Sequence, residues 1–453
     1  MQGAGLVLAS IMATETDVAG LRVYKFGGAS VKDAAGILNV CRIVRDTQQG
    51  RPLLIVVSAI GKTTNALEEI FDLAWRGEDY TGPLVALQQL HHDTSTALSL
   101  ALPPTYDASE SGKPDPDLVT LFKELTYRLA NLSPSKSYDE CYDQIISFGE
   151  ALSSCLLFSA LAATLHEAGE MYQRGPTIVT DENWREGRVD WPATIELTKA
   201  DFGNLFNNCG AQLIVTEGFT GQVQHNYRTT TLGREGSDYS AAIFAYCLGA
   251  ESVTIWKDVP GLLNADPRIF PDTVLYPEIS YQETIEMAYY GASVIHPKTL
   301  QPLAEKRIPL YVKSFLDPGA PGTVIHDCRH PALAPAFIRK AGQCLLSFQS
   351  KDFAFISEEN LAVIFGALAG ARLQLNLMQN SAISFSVAVN YHEGRVQQLL
   401  AALQGQFSIH YNAGLTLFTI KHYDEASLAR LTAGRELLLE QRTRSTFQFL
   451  VRE

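Results

Sequence analysis

The run Leu53-Leu54-Ile55-Val56-Val57 constrains what this chain can fold into more than any other stretch. Five consecutive apolar residues leave the strand no polar face, so it must be covered on both sides, as in a parallel sheet between layers of helices. Related runs occur at Leu213-Ile214-Val215-Thr216, Ser252-Val253-Thr254-Ile255-Trp256 and Pro309-Leu310-Tyr311-Val312. Helical patterns separate them, for example Tyr239 to Leu248 and Tyr281 to Tyr290. This alternation predicts an α/β domain with a mainly parallel central sheet and helices on both faces. Residues 66–160 read as mostly helical, interrupted by a polar loop from Pro103 to Asp117 that is expected to be exposed and mobile.

The tail differs in kind. Strand 343–349, helix 358–369, strands 373–379 and 382–390, helix 393–404 and strand 406–411 follow the βαββαβ order of a ferredoxin-like, α+β module. A partial second copy follows, with strand 415–421, helix 424–433 and strands within 436–451, too short for a full module. Small modules of this kind pair through their sheet edges, so a homodimer or higher oligomer is expected. The division expected is therefore a disordered leader (1–20, with Met1 or Met12 as the start), a catalytic domain (21–326), a linker (327–342) and a regulatory or dimerisation region (343–453).

A chain of 453 residues exceeds one typical domain, and 46% hydrophobic with 19% charged residues is ordinary for a soluble globular protein. The net charge of −13 argues against broad contact with nucleic acid or anionic membrane, while leaving room for a local basic pocket. Seven cysteines without a CxxC pair predict reduced, mostly buried thiols, with no disulfide frame and no structural zinc. No basic residue precedes the apolar start, and no run reaches the roughly 18 unbroken apolar residues of a membrane span, so a cytoplasmic location is expected.

Chemistry is concentrated in turns that follow strands. Val23-Tyr24-Lys25-Phe26-Gly27-Gly28 carries a lysine into paired glycines, which let backbone N–H groups close on an anion while the ammonium follows a phosphoryl group. Gly233-Arg234-Glu235-Gly236-Ser237-Asp238 opens a helix, a ready anion site. Ser237 or Asp238 could serve there as N-cap, but Arg234 has no capping use and suits a carboxylate or phosphate. Glu150 stands in the first turn of another helix, after Ser147-Phe148-Gly149. Ser58-Ala59-Ile60-Gly61-Lys62-Thr63-Thr64 is not a Walker A loop, because Val56 stands where that motif needs glycine. Lys257-Asp258-Val259-Pro260-Gly261 and Asp266-Pro267-Arg268 place charges after a further strand, and His296 before Pro297 reads as structural rather than as a base.

Together the order and wording of these loops resemble the amino-acid kinase family, in particular its aspartate kinase branch, over residues 21–326, with a tail similar to ACT regulatory modules. The resemblance implies a three-layer kinase domain that phosphorylates the β-carboxylate of L-aspartate with ATP, the entry to lysine, threonine and methionine synthesis. Lys25, Gly27 and Gly28 match its phosphate loop, with Lys25 and Asp238 catalytic and Asp238 orienting the lysine. Thr64, Glu150, Arg234 and Ser237 match positions that hold aspartate. Lys257, Asp258, Arg268, Ser293 and Val294 fall on nucleotide-binding stretches. The chain departs from the family at Ala29, Glu235, Lys257, Leu263 and Ser293, where threonine, glycine, threonine, tyrosine and lysine are frequent, so a lysine has moved from 293 to 257 or 298.

The chemistry fits independently of the resemblance. A β-carboxylate is ionised at neutral pH and is its own nucleophile, so no general base is required. Mg²⁺ is expected to arrive on the ATP phosphates, with no metal site built by the protein. Arg234 with Glu150 suits the paired charges of a free amino acid. An end-product effector, lysine or threonine, is expected in the tail near Phe355, Asn380 and Ser381. Competing readings are a kinase of glutamate or N-acetylglutamate and a catalytically silent amino-acid sensor.

Overall fold

The computed structural model describes residues 17–102, 116–133, 135–165, 169–292, 295–329, 333–351 and 354–452. Most of the expected leader and of the 103–117 loop lies outside them. The chain forms two compact units: Met1–Leu262 with Tyr276–Tyr281 and Ile295–Cys328, and Leu263–Leu275 with Gln282–Val294 and Arg329–Glu453. Two segments from within the stretch expected to be catalytic thus belong to the second unit.

In the first unit the strands are β1 (Arg22–Phe26), β2 (Leu53–Val57), β3 (Glu170–Arg174), β4 (Val179–Thr180), β5 (Ala211–Glu217), β6 (Thr220–Val223), β7 (Thr229–Thr231), β8 (Ser252–Lys257), β9 (Glu278–Ser280), β10 (Leu310–Ser314) and β11 (Thr323–His326). Eight of them make one sheet in the order β3-β5-β2-β1-β8-β10-β11-β9. Every pairing is parallel except β10 with β11. The uniformly apolar β2 is buried along its length between β1 and β5. Strands β4, β6 and β7 form a small separate sheet.

The helices of this unit are α1 (Ala34–Gln48), α2 (Thr63–Trp75), α3 (Thr81–Ala101), α4 (Pro116–Ala130), α5 (Tyr138–Ile146), α6 (Phe148–Thr164), α7 (Trp191–Thr198), α8 (Asn204–Asn208), α9 (Gly236–Leu248) and α11 (Pro297–Lys306), while α10 (Tyr281–Tyr290) falls in the second unit in all but its first residue. The stretch Tyr138–Thr164 is long and apolar enough to cross a membrane, yet 78% of its apolar window is buried inside the protein, as a core helix would be. Helix α9 is rich in Ala and Ser and almost wholly buried, which lets it lie close against β1 and β8. His296 is the N-cap of α11, its ring Nδ1 accepting from the Lys298 N–H at 3.1 Å, the structural role expected of it.

The second unit holds β12 (Ala336–Ser350), α12 (Glu358–Gly370), β13 (Leu375–Asn380), β14 (Ser384–Asn390), α13 (Glu393–Leu403), β15 (Phe407–Lys421), α14 (Glu425–Thr432), β16 (Leu437–Arg442) and β17 (Thr446–Arg452). Its sheet runs β13-β14-β12-β15-β17-β16. Strand β12 begins at Ala336, inside the segment read as linker. Its first residues pair with the end of β15, Ala336 opposite Lys421, so the second module is completed by chain that precedes the first. The two strands read as 406–411 and 415–421 are one continuous β15. All seven cysteines are free, and Cys209 alone is exposed.

Candidate functional site

The C-terminal ends of β1, β2, β5 and β8 open on a cleft of about 830 Å³ in the first unit. Ligands of open parallel sheets gather at such ends. Strand pairing places the cations. Lys25 on β1 lies opposite Ile255 on β8, and two-residue alternation puts Lys257 on the same face, at the very end of its strand. Helix α9 contributes Asp238 from its first turn. Lys25 Nζ lies 2.6 Å from Asp238 Oδ1, and Lys257 Nζ lies 3.4 Å from Asp238 Oδ2. Burial alone would raise the Asp238 pKa, but the Lys25 and Lys257 ammonium groups outweigh it and hold the carboxyl below the usual carboxylate range.

Glycine makes the close approach possible. A Cβ on Gly28 would stand 2.5 Å from the Ala59 carbonyl oxygen, and one on Gly218 only 2.6 Å from Ser237 Cβ. The Gly61 N–H donates to the Gly28 carbonyl at 3.1 Å, which locks the two glycine-bearing loops together. Gly27 flanks the lysine, its missing Cβ 3.4 Å from Lys25 Nζ. Helix α9 starts from Glu235, which adopts a left-handed φ of 55° and makes no side-chain cap. Neither Ser237 nor Asp238 is therefore spent on capping, and both line the cleft. Glycine would adopt this left-handed conformation without strain.

A second niche adjoins the cations. Glu150 is buried, accepts the Ala59 N–H at 3.2 Å on Oε1, and leaves Oε2 without a hydrogen-bond partner. Burial, with the carboxylate of Glu217 nearby, pushes its pKa up to about 8. Arg234 is exposed, lines the cleft and makes no ion pair among the described residues, and Thr64 also lines the cleft.

Sequence reasoning did not find the loop Asn183–Glu186, which lines the cleft opposite Gly233. Asp143 anchors it, accepting the Arg185 N–H at 2.9 Å together with the N–H and hydroxyl of Thr231 at 3.0 and 2.8 Å. Arg185 stacks 4.1 Å above the Tyr142 ring and has a left-handed φ of 67°. A non-glycine residue in that conformation leaves no mark in a sequence.

Not every expected residue meets the cleft. Asp258 is exposed and is not among the residues lining it. Arg268 belongs to the second unit, where it is exposed and pairs with Asp266 at 2.7 Å. Ser293 and Val294 lie outside the described residues. In the second unit, the Ile356 N–H donates to the Ala382 carbonyl at 3.1 Å, joining the segment of Phe355 to the β13–β14 turn that holds Ser381, next to Asn380. Among the described residues no group of three or more His, Cys, Asp or Glu is placed to hold a metal ion.

Comparison with known proteins bears on the family and the fold. Residues 20–314 match the amino acid kinase family. The lysine-sensitive aspartokinase 3 of Escherichia coli is 31% identical over 81% of this chain and 78% of its own length. The chloroplastic aspartokinase 3 of Arabidopsis thaliana is 29% identical over 81% of this chain, which spans 64% of that protein. The crystal structure of E. coli aspartokinase III with aspartate and ADP (R-state) superposes with a TM-score of 0.76 at 26% identity, over 95% of this chain and 96% of that one. The same enzyme with lysine and aspartate (T-state) gives 0.74 at 27% identity, over 96% of each.

Proposed function

This chain belongs to the amino acid kinase family, and from that premise we propose that it transfers the γ-phosphoryl group of ATP to the β-carboxylate of L-aspartate, giving 4-phospho-L-aspartate and ADP. The observation that carries the proposal is the buried Lys25–Asp238 ion pair of 2.6 Å, set in a cleft beside the Glu150–Arg234 niche. An oxygen of the β-carboxylate attacks the γ-phosphorus, and the bond to the bridging oxygen breaks. ADP keeps the electron pair, and no proton moves.

The protein therefore has to hold two anions together and offset the charge that spreads over the moving group. Lys25 and the N–H groups around Gly27 and Gly28 face that group, with Asp238 orienting the ammonium. Arg234, Ser237 and Thr64 take the carboxylates of aspartate, and Glu150 its α-ammonium. The nucleotide side is given to Lys257, which ends its strand at the cleft. Glu235, whose Oε2 is buried without a hydrogen-bond partner, fits the water shell of a Mg²⁺ carried by the ATP phosphates, an ion that would offset their charge. End-product control by lysine or threonine is placed in the second unit near Phe355, Asn380 and Ser381. Dimerisation is placed at its sheet edges, and the location is taken to be cytoplasmic.

A coupled assay, run with aspartate, glutamate and N-acetylglutamate and with lysine or threonine added, tests this reading. Aspartate should be phosphorylated fastest. Lys25→Ala and Asp238→Ala should each lower kcat by about 10³-fold or more with the fold retained. Arg234→Ala should weaken aspartate binding, read as a raised KM for aspartate with a smaller change in kcat. Wild-type turnover in Lys25→Ala would overturn the proposal.

A further inference from the structure

We infer that the first unit holds a second small-molecule site, a cavity between Glu217 and Arg128 that takes a free amino acid with an uncharged side chain, Glu217 and Thr220 receiving its ammonium and Arg128 its carboxylate. The inference goes beyond the kinase reading and does not depend on it, because binding is read without ATP or aspartate.

The cavity has a volume of about 290 Å³, the size of a small metabolite rather than of a nucleotide. It shares no lining residue with the kinase cleft. The first turn of α6 divides the two, since Glu150 lines the cleft whereas Ser147, Phe148 and Ala151 line this cavity.

Two acceptors stand there without partners. Glu217 ends β5, and among the described residues its carboxylate makes no hydrogen bond or ion pair. Burial pushes its pKa up to about 7, a cost that a bound ammonium would offset. Thr220, the first residue of β6, is fully buried, and its hydroxyl has no hydrogen-bond partner. Buried polar groups are nearly always paired, so an orphaned hydroxyl beside an orphaned carboxylate in one cavity points to a donor that both would meet.

Arg128, in the last turn of α4, supplies the opposite charge. Its guanidinium stacks 5.3 Å from the Phe148 ring centroid, its Nε donates to Glu124 at 2.8 Å, and its Nη1 donates to Gln144 at 3.3 Å. Gln144 is fixed in turn by donating to the Thr229 carbonyl at 2.6 Å. These contacts hold the guanidinium in place and leave Nη2 for a carboxylate. Arg128 and Glu217 face the same cavity yet form no ion pair with each other, so the space between them suits a molecule that carries both charges. The remaining lining, which includes Phe148, Pro176, Gln222 and Tyr227, is uncharged and leaves no counter-ion for a charged side chain.

Alanine, valine and leucine are titrated calorimetrically into the full chain, and the best of them should bind with a Kd of about 1 mM or tighter. Isocaproate and isoamylamine, which are leucine without its ammonium and without its carboxylate, should each bind at least about tenfold more weakly than leucine. Glu217→Gln and Arg128→Met should each weaken amino-acid binding by about tenfold or more, with thermal melts to verify folding. Thr220→Val removes a hydroxyl that has no partner in the free protein, so it should weaken binding by about fivefold without lowering the melting temperature. No binding of any of the three amino acids at about 10 mM overturns the inference. Affinity unchanged in both Glu217→Gln and Thr220→Val, or isocaproate binding as well as leucine, overturns it equally.

Discussion

Glu150 is buried with one backbone N–H on one of its oxygens, and its pKa is pushed up to about 8. An ordinary glutamate titrates near 4.3, so between about pH 4.3 and 8 the folded chain keeps a proton that the unfolded chain releases. This group's contribution to stability therefore falls as pH rises through that window. An aspartate ammonium beside the carboxylate would favour its ionised form. Binding of aspartate at pH 7 should release close to one proton, and affinity should rise with pH up to about 8. Calorimetry in buffers of different ionisation enthalpy measures the count. Glu150→Gln should abolish the release and also stabilise the free protein at pH 7, and an unchanged count would remove Glu150 from the ammonium role. At Glu235 the cost is conformational. Glu235→Gly should relieve its left-handed φ of 55° and raise stability in urea denaturation by about 1 kcal/mol.

Helix α9 and strand β5 illustrate positioning by an element. The end of β5 approaches the first turn of α9 so closely that a Cβ on Gly218 would stand 2.9 Å from Ser237 Cα as well as 2.6 Å from its Cβ. Backbone cannot yield there as a flexible side-chain tip could. Gly218→Ala should displace the turn that bears Ser237 and Asp238 without unfolding the helix. A shift of this kind should lower kcat by about 10²-fold. Steady-state kinetics beside far-UV circular dichroism checks it, and full turnover with an unchanged spectrum would show that the approach is not needed.

At the scale of the whole molecule, the second unit is more than an appended tail. Ala265 and Phe270 pack with Phe337, Phe418 and Phe449 in one apolar cluster. Lys421, 1% exposed, is ion-paired with Glu283 at 2.7 Å and with Glu286, and His422 bonds Glu283 at 3.0 Å. The hydrogen bond from His422, with the Lys421 charge, lowers the Glu283 pKa to about 2. Its stabilising contribution is thus present above the ordinary glutamate pKa and is lost as pH falls toward 2. Replacing Glu283 and Glu286 together by Gln strands a buried ammonium and should cost about 3–5 kcal/mol at pH 7, with the difference from wild type narrowing near pH 3. Deleting residues 343–453 would strip Phe418 and Phe449 from the cluster, so aggregation is expected, and effector control is better tested in the intact chain.

Much of this protein was legible in its residues. The apolar run 53–57, the strand–helix alternation and the Lys25-Phe26-Gly27-Gly28 turn pointed to a buried parallel sheet with a lysine and close-packed glycines at its strand ends, because side-chain alternation and glycine freedom are local properties. His296 was legible for the same reason. The completion of the second module by Ala336, the Asn183–Glu186 wall and the sharing of Asp238 by two lysines were not. Each depends on which strands become neighbours and on which face a distant helix packs. Strand register and helix packing are settled by the simultaneous burial of many side chains far apart in the chain, and no local pattern encodes that outcome.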